Sequence, residues 1–258
     1  MKTFKSIIKK YAEILFPCLA VGVIIIAWQI TATIYDAEII MPSPLLTMKE
    51  FFSAFTEKEF YISVFLTLLR AFIAFIISYA LAFVFAYFSY KSVYVKYFFY
   101  PLTVIARGIP TMSIILILFF MFSKEVSTVV IAFIVIFPIS YSEILSHFTS
   151  LDDGVLQALK VYGVDDKKVL KEYIVPEIFE KSFFSGVNML AFSVKLCISA
   201  EAVLQTPNSF GLLMTKAKTN LITGRLFAYT IIAVLLGILF EIIAKLIKKR
   251  IDKKRGAL

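Results

Sequence analysis

The chain has 258 residues, 60% of them hydrophobic, including 27 phenylalanines, and carries a net charge of +9. Soluble domains are only about 45–50% apolar, so this balance excludes an ordinary globular protein and implies an all-α integral membrane protein. In a membrane chain Lys and Arg first report topology. With no soluble basic domain to hold a patch, the positive charge does not point to nucleic acid. Cys18 and Cys197 both fall in apolar runs and read as small hydrophobes. A single histidine, His147, excludes a multi-histidine metal centre, and no metal or cofactor is expected on this chain.

In chain order, a lysine-bearing lead (Lys2, Lys5, Lys9, Lys10) precedes the uncharged run from Ile14 to Tyr35. That run is longer than the apolar core of about 7–15 residues in a signal peptide and reads as a retained span. About 20 apolar residues cross the hydrocarbon as a helix. On that measure the spans are 14–35, 62–90, 97–123, 126–147, 179–205 and 225–247. The fifth is the weakest because Lys195 and Glu201 interrupt it. With six spans, the two termini and the 91–96 and 148–178 loops share one side and hold most of the lysines and arginines. That side is therefore expected to be cytoplasmic. Lys216 and Lys218, in the 206–224 loop, are an exception on the other side. Met41-Pro42-Ser43-Pro44 reads as an extended stretch outside, because a residue before proline avoids the helical region. Pro101, Pro110 and Pro138 are expected inside spans, where neighbouring helices can satisfy the freed backbone groups. The whole of 1–258 reads as one membrane domain, with a core at 62–247.

Between the fourth and fifth spans lies a charged stretch, residues 150–176. Ser150, Asp152 and Asp153 offer helix N-caps. Val155, Leu159 and Tyr162 then fall on one helical face, and Gly163 suits the left-handed position that ends a helix. Asp165 and Asp166 can cap a second helix with Val169, Leu170 and Tyr173 on its apolar side, stopped by Pro176. Helices this short are marginal alone. They either tuck against their own spans or insert into a groove on a soluble partner.

The spacing Gln157-Ala158-Leu159, three residues, Gly163, nine residues, Tyr173-Ile174-Val175-Pro176 resembles the coupling loop of binding-protein-dependent ABC importer permeases. Its first triplet lacks the family's glutamate. Other stretches are similar to the taurine, sulfonate and nitrate branch of that family: Met41-Pro42-Ser43-Pro44, Thr67-Leu68-Leu69-Arg70 and Arg107-Gly108-Ile109-Pro110-Thr111. Val194-Lys195, Ala200-Glu201 and Phe210-Gly211-Leu212 belong to the same set. That branch imports small solutes, thiamine-precursor and riboflavin-type compounds among them. The resemblance implies a multi-pass subunit of a bacterial cytoplasmic membrane with both termini inside, paired with a second permease subunit, most simply as a homodimer. It also implies a cytoplasmic ABC ATPase dimer and an external solute-binding protein. Gln157, Ala158, Leu159, Tyr162, Gly163, Val164, Asp165 and Pro176 would then form the ATPase-coupling element. No G-x-x-x-x-G-K-[ST] phosphate loop occurs in the sequence, so ATP and Mg would be used by the partner and this chain would not be an enzyme.

Charges inside spans cost about 2.5–3.5 kcal/mol each at mid-depth and need partners or water. Arg107, Lys195 and Glu201 are therefore candidates for a translocation path, with Glu201 a partner for Arg107. The alternative is a structural ion pair between spans. Arg70 and Glu143 read as span-end residues. Rival functions are an ion-driven secondary transporter, which would show matching repeats and broken helices, and a membrane-embedded enzyme, which would cluster titratable groups at one depth. A vitamin-type energy-coupling component also docks ATPases through helices but fits the Gln157–Pro176 spacing less well.

Overall fold

The computed structural model describes residues 2–255, with side chains at 15–183, 185–243 and 245–246. The basic residues at the two termini that underlie the orientation argument therefore lie outside the described side chains. Among the described residues every regular element is a helix. The chain divides into two compact units, Met1–Lys58 with Met214–Ile232, and Glu59–Leu213 with Ala233–Leu258.

In the first unit, α1 (Lys2–Tyr35) carries a span at Leu15–Tyr35, and α2 (Pro44–Ala54) follows a short loop. Ser43 starts α2, its hydroxyl accepting from the Leu46 amide, with Pro44 in the first turn, where a missing N–H costs nothing. This unit also holds the first part of α11 (Thr223–Arg255), whose apolar stretch Thr223–Ile243 is a candidate span.

In the second unit, α3 (Lys58–Lys91) is 34 residues long. At 1.5 Å per residue it measures about 50 Å, well beyond the hydrocarbon thickness of about 30 Å. Its buried positions are Ser63, Thr67, Ala71, Ala74, Ser78, Ala82, Ala86 and Ser89 along with Phe60. Small residues at helical spacing let neighbouring helices approach closely. α6 (Lys124–Thr149) and α9 (Val175–Leu204) pack against each other in this unit. Tyr141 on α6 donates to Ser89 Oγ on α3 at 2.7 Å, and Ser193 on α9 donates to the Ala71 carbonyl at 2.8 Å.

The expected third span, 97–123, is not a single helix. It is α4 (Val93–Gly108) and α5 (Thr111–Met121), bent by 96° at Ile109–Pro110. Pro110 has no N–H and biases the residue before it away from the helical region, and Ile109 duly has ψ 126. Pro101 and Pro138 do remain inside helices. Among the described residues five helices are long and apolar enough to cross a membrane, or six if the bent pair counts as one span.

Candidate functional site

The 150–176 stretch forms a projecting corner. Asp152 caps α7 (Asp153–Val161), its carboxylate accepting from the Gly154 and Val155 amides at 2.8 and 3.4 Å. The helix ends on Gly163, with φ +70, and the Val164 amide returns to the Leu159 carbonyl at 3.1 Å. A return bond of this kind closes a helix when a residue takes the left-handed conformation. No residue of α7 is buried. Val161 and Tyr162 are each 85% exposed, and Val155 is also exposed while Leu159 is partly covered.

The second helix differs from expectation. Pro176 does not end it. α8 (Asp166–Val169) passes through a wider turn at Leu170–Ile174, where the Val175 amide reaches the Leu170 carbonyl five residues back, and runs on into α9. Pro176 has no N–H to bond, and the wider turn just before it makes room for a ring that would otherwise meet the carbonyl four residues back. Asp165 precedes α8 without a side-chain cap bond. The corner is thus a short exposed helix joined through Gly163 to a helix that is continuous with a span. Its base is held by Leu156, Val169, Leu170 and Tyr173, which pack against a cluster that includes Ala86, Tyr141, Phe148 and Ile178.

A second constellation surrounds Glu201, whose side chain is wholly buried and whose partner is Arg70, not Arg107. Arg70 Nη1 donates to Glu201 Oε1 at 2.9 Å, and Thr67 Oγ1 donates to Oε2 at 2.7 Å. The amides that open α10 (Phe210–Thr219) complete the set. The Phe210 amide donates to Thr67 Oγ1 at 2.9 Å and the Gly211 amide to Glu201 Oε2 at 3.4 Å, while the Leu212 amide reaches Ser209 Oγ at 3.0 Å. A carboxylate at a helix N-terminus also meets the positive end of the helix dipole. Arg70 Nη2 donates to the Pro207 carbonyl at 3.2 Å, in a turn where Gln205 and Asn208 take positive φ. Gly211 is required by proximity. A Cβ there would lie 2.5 Å from both the Ala202 nitrogen and the Ile198 oxygen. The Glu201 cluster therefore fastens α3, α9 and the start of α10 together.

Span counting sets Arg70 at a span end and assigns no role to Thr67, yet the structure brings both to Glu201. The available signal was their i, i+3 spacing on the same side of α3 as the small residues, which puts Arg70 on the packed face and not at a boundary.

The other two candidates remain open to the surroundings. Arg107 is exposed in the last turn of α4, with Nε donating to the Thr103 carbonyl of its own helix at 3.1 Å. Lys195 is exposed on α9, on a stripe with Asn188, Phe192, Ser199 and Val203. Its stem passes close to Gly237, where an added Cβ would stand 3.1 Å from Lys195 Cε. A cavity of about 630 Å³ opens elsewhere between α3 and α9, walled by Phe75, Phe83, Phe179 and Phe183. None of the three charged candidates lines it. Among the described residues no group of His, Cys, Asp and Glu could hold a metal.

A profile of the family described as "Binding-protein-dependent transport system inner membrane component" matches residues 78–253. The match spans well over half of the chain, from the middle of α3 through the corner and Glu201 into α11, with Thr67 and Arg70 lying just before it, and the chain belongs to that family. It is a multi-pass transport membrane subunit whose family works with ATPase and binding-protein partners. A search of curated proteins found no match.

Proposed function

We propose that this inner-membrane component forms half of the solute path of an ATP-driven importer and receives the ATPase stroke through the α7 corner. The carrying observation is α7 itself. It exposes Val161 and Tyr162 almost fully, yet joins through one left-handed glycine to a helix that runs into the α9 span. A groove on a soluble partner can take up such a helix, and displacement of α7 would pass directly along α9. Gln157, Ala158, Leu159, Tyr162, Gly163, Val164 and Asp165 make up this docking element. Pro176 belongs to its rigid continuation.

The α9 stripe supports the path. An unpaired ammonium in hydrocarbon costs about 2.5–3.5 kcal/mol, yet Lys195 stands exposed in the middle of the Ser185–Leu204 span, beside exposed Asn188 and Ser199. A water-filled path or a second subunit against this face relieves that cost. The same proposal has the permease as a homodimer, with ATP and Mg bound by the ATPase, a binding protein outside and both termini inside. The solute is a small compound of the kind carried by the taurine, sulfonate and nitrate branch.

Two variants test this in the native membrane. Gly163→Val places a β-branched residue at φ +70, which L side chains adopt only with strain, and is expected to reduce co-purification of the ATPase while the permease accumulates normally. Lys195→Ala is expected to assemble with the ATPase but to lower solute uptake at least tenfold. Normal retention of the ATPase by Gly163→Val overturns the coupling element, and normal uptake by Lys195→Ala removes α9 from the path.

A further inference from the structure

α2 is pinned at the end of a span, and its outward face is apolar. The Trp28 indole donates to the Pro42 carbonyl at 2.9 Å, and the Trp28 ring packs on Phe227 at 5.7 Å. Trp28 lies seven residues before Tyr35, where the Leu15–Tyr35 span ends, so the chain at Pro42 has folded back about 10 Å along the helix axis. Thr223, where α11 begins, donates to the Glu38 carbonyl. On its inner side α2 grips that same helix start. Arg225 Nε donates to Glu50 Oε2 at 2.9 Å, Nη1 pairs with Glu57 Oε1 at 2.9 Å, and Nη2 donates to Ser53 Oγ at 3.3 Å. Thr47 and Ala54 are buried, and Leu46 lies against Gly224. These bonds fix α2 in depth beside two span ends.

The outer side carries Leu45, 81% exposed, Phe52, 64% exposed, and exposed Met48 and Phe55. These positions, i, i+3, i+7 and i+10, make one stripe. Ile39 and Ile40 in the preceding loop are exposed as well, and Lys49 is exposed at the edge of the stripe. A tryptophan near a span end marks the headgroup level. A lysine beside an apolar face can bury its stem and keep its charge in the headgroups. A helix with one ion-paired face and one exposed apolar face, held at that level, is built to lie in the plane of the membrane.

We propose that α2 is an in-plane membrane anchor, with Leu45, Met48, Phe52 and Phe55 seated at the boundary between lipid headgroups and acyl chains. The occupant of this face is lipid, continuous with the lipid around α1, whose span is almost wholly uncovered by the rest of the chain.

The test uses the full chain with Cys18→Ala and Cys197→Ala, reconstituted in vesicles of phosphatidylethanolamine and phosphatidylglycerol. Single Leu45→Cys, Met48→Cys, Phe52→Cys and Phe55→Cys variants carry a nitroxide, and Lys160→Cys on α7 is the aqueous reference. Relaxation by molecular oxygen, which concentrates in lipid, is compared with relaxation by a water-soluble nickel chelate. The expected oxygen-to-nickel ratio is several-fold higher at all four α2 sites than at Lys160→Cys. A ratio equal to that reference means the face stands in water, and poor access for both reagents means a protein covers it, whether a second copy or a binding protein. Either result overturns the anchor. Neither depends on whether α7 binds an ATPase.

Discussion

At Glu201 a carboxylate, a guanidinium, a hydroxyl and two helix-opening amides are packed away from the surroundings. At α7 two large apolar side chains stand fully out. Each arrangement inverts the usual rule that charge stays outside and apolar surface inside. The inversions have different causes. Buried charge persists only when every partner is present, so the Glu201 cluster marks a place where the protein must not move. α7 touches its own spans through Leu156 at its base while Val161 and Tyr162 at its end stay uncovered, so it marks a place suited to be held by something else.

The largest expected effect comes from breaking the immobile region. Arg70→Met leaves the Glu201 carboxylate buried without its cation, and loss of one partner of a buried pair costs about 3–5 kcal/mol. Thermal unfolding of the purified chain in detergent should fall steeply. Arg70→Met combined with Glu201→Gln should recover only part of this, because the neutral amide would remove the negative charge facing the start of α10. Full recovery would show that the carboxylate does not serve α10 at all. Next in size is Gly211→Ala. Its Cβ meets backbone of α9 at 2.5 Å, which a side-chain adjustment cannot relieve, and overpacking of this kind costs about 1–3 kcal/mol. Unchanged unfolding would mean that α10 can draw back from α9 without loss.

The two regions differ also in how far the amino-acid pattern discloses them. The corner is local. Asp152, Gly163 and the spacing between them are short-range signals, and the capped helix and left-handed turn appear where those residues require them. What local reading missed is Pro176, because a proline reads as a stop, and only a five-residue backbone turn lets the helix continue into α9. The Glu201 cluster is non-local. Its members sit at 67, 70, 201 and 210–211, in stretches noticed separately, and no periodicity says which of two arginines a carboxylate meets. Arg107 falls within an apolar run and so reads as the partner, but the break at Ile109–Pro110 leaves it in the last turn of α4. Arg70 reads as a span-end residue because span counting places it by distance from an end and ignores the face it shares with Thr67. The apolar face of α2 was equally hidden, since an 11-residue helix between spans reads as a loop when only crossing length is scored.

The exposed corner yields the smallest change in stability and the sharpest contrast. Tyr162→Asp replaces a side chain that is almost fully exposed, at a C-cap position whose helix-closing bond comes from the backbone amide and is kept in the variant. Surface substitutions of this type stay within about 0.5 kcal/mol, so the unfolding temperature should match that of the parent chain. Retention of the ATPase should nonetheless fall, because a carboxylate would have to be desolvated in the groove that takes up the tyrosine ring. The unfolding temperature separates the two readings of α7. If Tyr162→Asp lowers it as far as Gly211→Ala does, then α7 is packed on its own spans in the working protein. The comparison between a fixed junction and a free one would then fail, even if the ATPase were also lost.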